Sequence, residues 1–238
     1  MKVALILTGH ARNYLHCFAS IKQFLLTPYD VDVHISTWDM DSPGHGHTRN
    51  FDFAGGLDLS PLKELYPNAK IHVENHNDYV ANRFAKIDFM AMERADDIVK
   101  TEGVQIHGSV EMTEFWLERF RDQWYMVKKG WQLIENPVQY DVIMRLRLDN
   151  TIHSLTLNPT DTISFPFINA DRDRLMSDHS AYGRPAAMEK YCAVFDHYES
   201  MYKNNNINIA WAERMMNDYI GTYCGLPIQM DPGFTIGL

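Results

Sequence analysis

The chain opens on an unbroken apolar run, KVALILT (2–8), closed by Gly9, with none of the alternation of a half-exposed strand. Such a run predicts a strand covered on both faces. Tyr14, Phe18, Ile21 and Leu25 then recur at three- and four-residue spacing, which predicts a helix with Asn13 in position to cap it. In DVDVHISTW (30–38), Val31, Val33 and Ile35 alternate with polar neighbours, a strand again. Strand, helix and strand within about 40 residues form the pattern of a right-handed parallel crossover.

Residues 40–58 are rich in Gly, His and Asp and carry no period, so they read as a long surface loop. SPLKELYP (60–67) predicts a short helix opened by Ser60 and Pro61 and stopped by Pro67. KIHVEN (70–75) is a third strand, and 80–100 is helical with mixed polarity. Between 113 and 137, Leu117, Phe120, Trp124, Val127, Trp131 and Ile134 form a sustained helical stripe, with Thr113 as cap and Pro137 as stop. YDVIMRLRLD (140–149) and the shorter TISFPF (162–167) are strands, and 184–202 and 209–224 are helices. The tail GLPIQMDPGFTIGL is irregular or holds one short strand. No repeat, linker or composition break divides the chain. The expectation is one α/β domain over 1–238, with a mostly parallel central sheet flanked by helices and a C-terminal third that departs from strict alternation.

Composition narrows the class. A formal charge of −9 argues against non-specific nucleic-acid binding, which needs clustered Lys and Arg. No apolar stretch approaches the roughly 20 residues of a membrane helix, and the N-terminus lacks a signal-peptide cleavage region. Cys17, Cys192 and Cys224 are odd in number and widely spaced, which reads as free thiols in a reducing cytoplasm.

The chemistry collects at strand ends. Along 142–149, Val142, Met144, Leu146 and Leu148 share one face, while Ile143, Arg145, Arg147 and Asp149 share the other. The charges lie at the carboxyl end of the strand, where open α/β sheets bind ligands. Two readings stand: a ligand site, or an edge strand whose Arg–Asp network satisfies only itself. TGHARN (8–13) offers a helix N-terminus and Arg12 to an anion, without a dinucleotide or P-loop glycine pattern. In STWD (36–39), Trp38 is either a stacking platform or core, and Asp39 either binds hydroxyls or forms a turn. His45 and His47 have no second ligand pair at a zinc spacing, and their loop reads better as a lid over a sugar.

The opening KVALILTGHARNYLHCFASIKQFLL, then DVDVHISTWD, YDVIMRLRLDN and SDHSAYGRPAAMEKYC (177–192) resemble, in this order, a glycosyltransferase-like family of surface-polysaccharide gene sets and large DNA viruses. The resemblance implies a GT-A-like nucleotide-diphospho-sugar fold, nucleotide-binding over roughly 1–150 and acceptor-facing over roughly 151–238. It implies a cytoplasmic enzyme (host cytoplasm if viral) that moves a sugar from a UDP- or GDP-sugar to a glycan acceptor. The alternative is a non-catalytic nucleotide-sugar or glycan binding module of the same fold. Thr8, Gly9 and Arg12 would meet the nucleotide or its diphosphate, with Thr37 and Asp39 nearby and Arg145 and Arg147 as counter-charges. Asp149 would stand in the metal-binding Asp-x-Asp motif and hold Mn²⁺ or Mg²⁺, although here the motif has one carboxylate. Asp178 is the expected base and the adjoining His179 the runner-up, the alternative being that Asp178 caps a helix or forms a turn.

Overall fold

In the computed structural model of the protein, residues 1–40, 56–83, 110–167, 177–205 and 212–237 are described. Among them, eight strands build one sheet: β1 (Lys2–Thr8), β2 (Asp30–Trp38), β3 (Lys70–Glu74), β4 (Val142–Arg147), β5 (Thr151–Ser154), β6 (Ile163–Phe167), β7 (Ser180–Gly183) and β8 (Ile228–Gly237). Their order is β3-β2-β1-β4-β7-β6-β8-β5. From β3 to β4 all pairs are parallel, as the crossover pattern predicts. Beyond β4 the sheet is mixed: β7 runs antiparallel to both β4 and β6, and β5 antiparallel to β8. "Mostly parallel" therefore fits only the first half. No helix separates β4, β5 and β6, and a parallel crossover needs a dozen or more residues.

The helices are α1 (Tyr14–Ile21), α2 (Ser60–Leu65), α3 (His76–Arg83), α4 (Val110–Gln132), α5 (Pro185–Cys192), α6 (Val194–Asn205) and α7 (Ala212–Asn217). They cover both faces of the sheet. Val3, Leu5 and Leu7 of β1 pack with Val142, Met144 and Leu146 of β4 against Ile21, Leu25, Leu62 and Tyr66. Ala4, Ile6 and Ile143 face the other way, onto Trp124 and Val127 of α4 and Met188 and Tyr191 of α5. Each such side chain, fully buried, contributes about 1.5–3 kcal/mol. The sorted faces of 142–149 are thus both covered, and β4 lies inside the sheet between β1 and β7. That removes the edge-strand reading.

Several local expectations change. Asn13 sits at the N-cap of α1 with φ 51, a left-handed conformation that Asn tolerates, but its side chain makes no capping bond. Ser60 begins α2 rather than capping it, and its N–H donates to Asp58 Oδ1 at 2.9 Å. Thr113 lies inside α4, and Pro137 opens a short 3₁₀ turn beyond that helix's end. The single helix expected over 184–202 breaks at Ala193 into α5 and α6. β5 and β7, four residues each, went unpredicted because neither carries a period of its own, and the tail holds one strand, as one of its two readings expected, though β8 is ten residues long rather than short. The lid-like loop over 41–55 and most of the expected helix over 80–100 lie outside the described residues. Cys17, Cys192 and Cys224 are free thiols, with Cys224 only half-buried. No described helix is long and apolar enough to cross a membrane.

Candidate functional site

The topology singles out one crevice. The chain leaves β1 toward β2 and β3, then returns along α4 to enter β4 on the other side of β1. Crossovers of one hand running in opposite directions lay their helices on opposite faces. The segments that follow β1 and β4 meet beyond the ends of those strands, where Ile152 N–H donates to Ser20 Oγ at 3.0 Å, and ligands bind outside the carboxyl ends of strands where the strand order switches direction. Register makes those ends level, because Ser36, Thr8 and Arg147 stand in one row across β2, β1 and β4.

Just past that row, Arg12 and Arg147 close on Asp149. Arg147 donates from Nε to Asp149 Oδ1 at 2.9 Å and from Nη2 to Oδ2 at 2.8 Å, a bidentate pair. Arg12 Nη2 donates to the same Oδ2 at 2.8 Å. Burial pushes the Asp149 carboxyl up, but Arg147 and Arg12 together hold it below the usual carboxylate range. Arg119 of α4 joins them. Burial first, then the charge of Arg12, with Arg147 adding to it, pushes its guanidinium down to about 10. Its presence was not legible in the sequence, since 113–137 was read for its apolar stripe. His10 is a second addition. Its ring lies near Trp38 and His76, its Nδ1 is buried without a partner among the described residues, and burial with Arg12 nearby lowers its pKa to about 3.

The antiparallel course of β7 brings a third segment in, because its first residues lie at the carboxyl end of β4. His179 C=O accepts from Arg147 N–H at 3.1 Å. Asp178 is buried; its Oδ1 meets His179 Nε2 at 3.2 Å, and its Oδ2 accepts from Gln123 Nε2 of α4 at 3.1 Å. Burial raises the Asp178 carboxyl, yet His179, Arg147 and Arg145 outweigh it and leave the group lowered. Burial, with Arg147 and Arg145, lowers His179 against the pull of Asp178, which favours the neutral imidazole. Asp178 is only 6% exposed, whereas the His179 side chain is 20% exposed. Of the two candidate bases, His179 is the more exposed and Asp178 the more buried.

Four other residues expected at the donor make hydrogen bonds within the fold. Arg145 is fully buried, donating from Nε to Thr8 Oγ1 at 3.1 Å and from Nη1 to the Asp178 carbonyl, with its guanidinium 5.7 Å from the Trp124 ring centroid. It holds the 178 segment against β1, and Thr8 serves the same bond. Thr37 Oγ1 donates to Gly9 C=O at 2.8 Å, pinning the loop that Gly9 turns at φ 103. Asp39 accepts from His76 N–H at 3.0 Å and Asn75 Nδ2 at 2.7 Å, so its carboxylate anchors the start of α3. Trp38, 2% exposed, packs edge-on to His76 and beside Tyr79 and Tyr125 as core.

The donor set around Asp149 does not fit a divalent cation. An ion held by that carboxylate would lie within about 5 Å of two guanidiniums, and at an effective dielectric constant of about 20 each would repel it by about 7 kcal/mol. Two such repulsions offset the attraction of a single carboxylate. The same set suits an anion. Arg147 Nη1 has no protein partner among the described residues and is not buried, leaving donors directed away from Asp149.

No protein-family model matches the chain, and no curated protein shows significant similarity to it.

Proposed function

We propose that this protein is a glycosyltransferase that moves a sugar from a UDP- or GDP-sugar to a glycan acceptor on a GT-A-like fold. One observation carries the reading: Arg12, Arg119 and Arg147 converge on the carboxyl ends of β1 and β4, at the switch point of a parallel half-sheet, beside His179 and its partner Asp178. Guanidiniums there stabilise the negative charge that grows on the leaving diphosphate as the sugar–phosphate bond breaks. In an inverting transfer, the acceptor oxygen bonds to the anomeric carbon while His179 takes the hydroxyl proton. Asp178 stabilises the resulting imidazolium, and Gln123 fixes Asp178. Thr8, Thr37, Asp39 and Arg145 hold the loops that carry these groups.

The test is slow hydrolysis of donor in the absence of acceptor. Purified protein with UDP-glucose, UDP-galactose, GDP-mannose or GDP-fucose should release free nucleotide diphosphate from one of them, and His179→Ala should slow the release by about 10²-fold or more. A second reading, a non-catalytic binding module, is favoured by the commitment of Asp149 to arginines. Binding of a donor without any hydrolysis would select it.

A further inference from the structure

We propose that a chloride ion binds inside the core, between Arg145 of β4, Trp124 of α4 and Tyr191 of α5. The site is independent of the glycosyltransferase reading.

All three side chains are fully buried, at 0% exposure. Arg145 shares a face of β4 with Ile143, and that face packs on Trp124 and Tyr191. The three side chains meet there. The Arg145 guanidinium carbon stands 5.7 Å from the Trp124 ring centroid, and the Trp124 and Tyr191 rings meet edge-on with centroids 5.5 Å apart. Arg145 is also near enough to the Tyr191 phenol to oppose the upward push that burial gives it. Three separate elements thus deliver polar groups to one interior place.

The chain does not satisfy those groups. Arg145 Nη2, Trp124 Nε1 and Tyr191 Oη have no hydrogen-bond partner of ordinary geometry among the described residues. A buried donor left unpaired costs its full desolvation, so three adjacent orphans mark a place where something else binds. The other Arg145 nitrogens are engaged, Nε by Thr8 Oγ1 at 3.1 Å and Nη1 by the Asp178 carbonyl, and both acceptors are neutral. The Asp178 carboxylate feels Arg145, but its oxygens meet His179 and Gln123.

The chemistry of the orphans selects the ligand. Nη2 carries two N–H groups and the indole one, neither side chain can accept, and the phenol adds an O–H. Against these four donor hydrogens stand only the lone pairs of one phenol oxygen. A water accepts two bonds and brings two more protons that need acceptors. An anion accepts throughout and donates nothing. A monatomic anion is the smallest that does so, which suits an enclosed interior, and chloride is the common one. Its presence also bears on the surface, since the same guanidinium holds the Asp178 carbonyl beside His179.

The experiment melts the full chain in sodium chloride and in sodium gluconate at constant ionic strength, alongside crystals grown in sodium bromide. The wild-type melting temperature should rise by about 3 °C or more between about 1 and about 300 mM chloride. Tyr191→Phe keeps the ring, deletes one donor and should lose most of that rise. In the bromide crystals, an anomalous peak should stand within bonding distance of Arg145 Nη2, Trp124 Nε1 and Tyr191 Oη. A melting temperature that does not distinguish chloride from gluconate overturns the site. So does a rise that Tyr191→Phe leaves whole. If Tyr191→Phe does not fold, the wild-type bromide map decides. A peak among the three side chains upholds the ion, and a water or a direct Arg145–Tyr191 bond in its place overturns it. Donor hydrolysis tests the glycosyltransferase reading separately, so either idea can fail without the other.

Discussion

Arg12 and Asp149 are 137 residues apart in sequence and 2.8 Å apart in space. Their ion pair ties the loop after β1 to the end of β4 and, through Arg147, makes a three-residue network at the mouth of the crevice.

Removing one member of that network leaves the others unbalanced. Asp149→Ala leaves two partly buried guanidiniums facing each other and should lower stability by about 1–3 kcal/mol. Arg12→Ala should cost less, because Arg147 still satisfies Asp149. A double-mutant cycle in urea should return a coupling energy above about 0.5 kcal/mol. The carboxyl is held low when folded, so its contribution is present above the ordinary carboxylate range and disappears as pH falls below it. A coupling energy of zero at pH 7 would remove the network from the account.

His179 and Asp178 predict a pH signature. His179 acts while neutral, so donor turnover should rise with pH through its pKa. Asp178 supplies the pull that raises that pKa against burial and the arginines. In Asp178→Asn the acid limb of kcat/KM should therefore move to lower pH. His179→Ala should lose about 10²–10⁴-fold in rate with donor affinity unchanged. An acid limb that stays fixed in Asp178→Asn would mean that Asp178 does not act on His179.

Gly130 sets the depth at which α4 lies on the sheet. A Cβ there would press into Ile6 Cγ2 and lie 3.4 Å from Thr8 Cγ2 and 3.6 Å from Ser36 Cβ. Gly130→Ala should destabilise by about 1–3 kcal/mol despite the better helix propensity of Ala. Because α4 also carries Arg119 and Gln123, pyrophosphate affinity should fall with it. Denaturant melts and titration of the same sample would read both.

His34 makes the fold acid-sensitive. It is 3% exposed, edge-on to Tyr140, and neither ring nitrogen has a partner among the described residues. Burial, with Lys70 nearby, lowers its pKa to about 4. An imidazole that stays neutral when folded takes up its proton on unfolding. The stability it permits is intact above the unfolded pKa of about 6.5, and it falls by about 3 kcal/mol as the pH drops toward 4. His34→Leu should flatten the melting temperature between pH 6.5 and 4.5 relative to wild type.

The residues that carry their own hydrophobic pattern, whether a continuous run or an alternation, were legible. KVALILT, DVDVHISTW and the sorted faces of 142–149 foretold β1, β2 and β4, and with them a parallel half-sheet with charge at its carboxyl edge. Hydrophobic patterning encodes burial directly, so a strand buried on both faces announces itself. β5 and β7 are four residues each and are held by their neighbours rather than by their own pattern. For that reason the antiparallel return that brings Asp178 and His179 to Arg147 was not visible.

Sequence by itself determined which chemistry is present: arginines and single acids at the ends of alternating strands, with no second acid beside Asp149. Tertiary structure decided how it is shared. It buried Arg145 as a strut, committed Thr37 and Asp39 to the loops, and turned Asp149 toward two guanidiniums. Residue type sets what a group can do, but partners 137 residues away set its charge balance, and only the folded chain brings those partners within bonding distance.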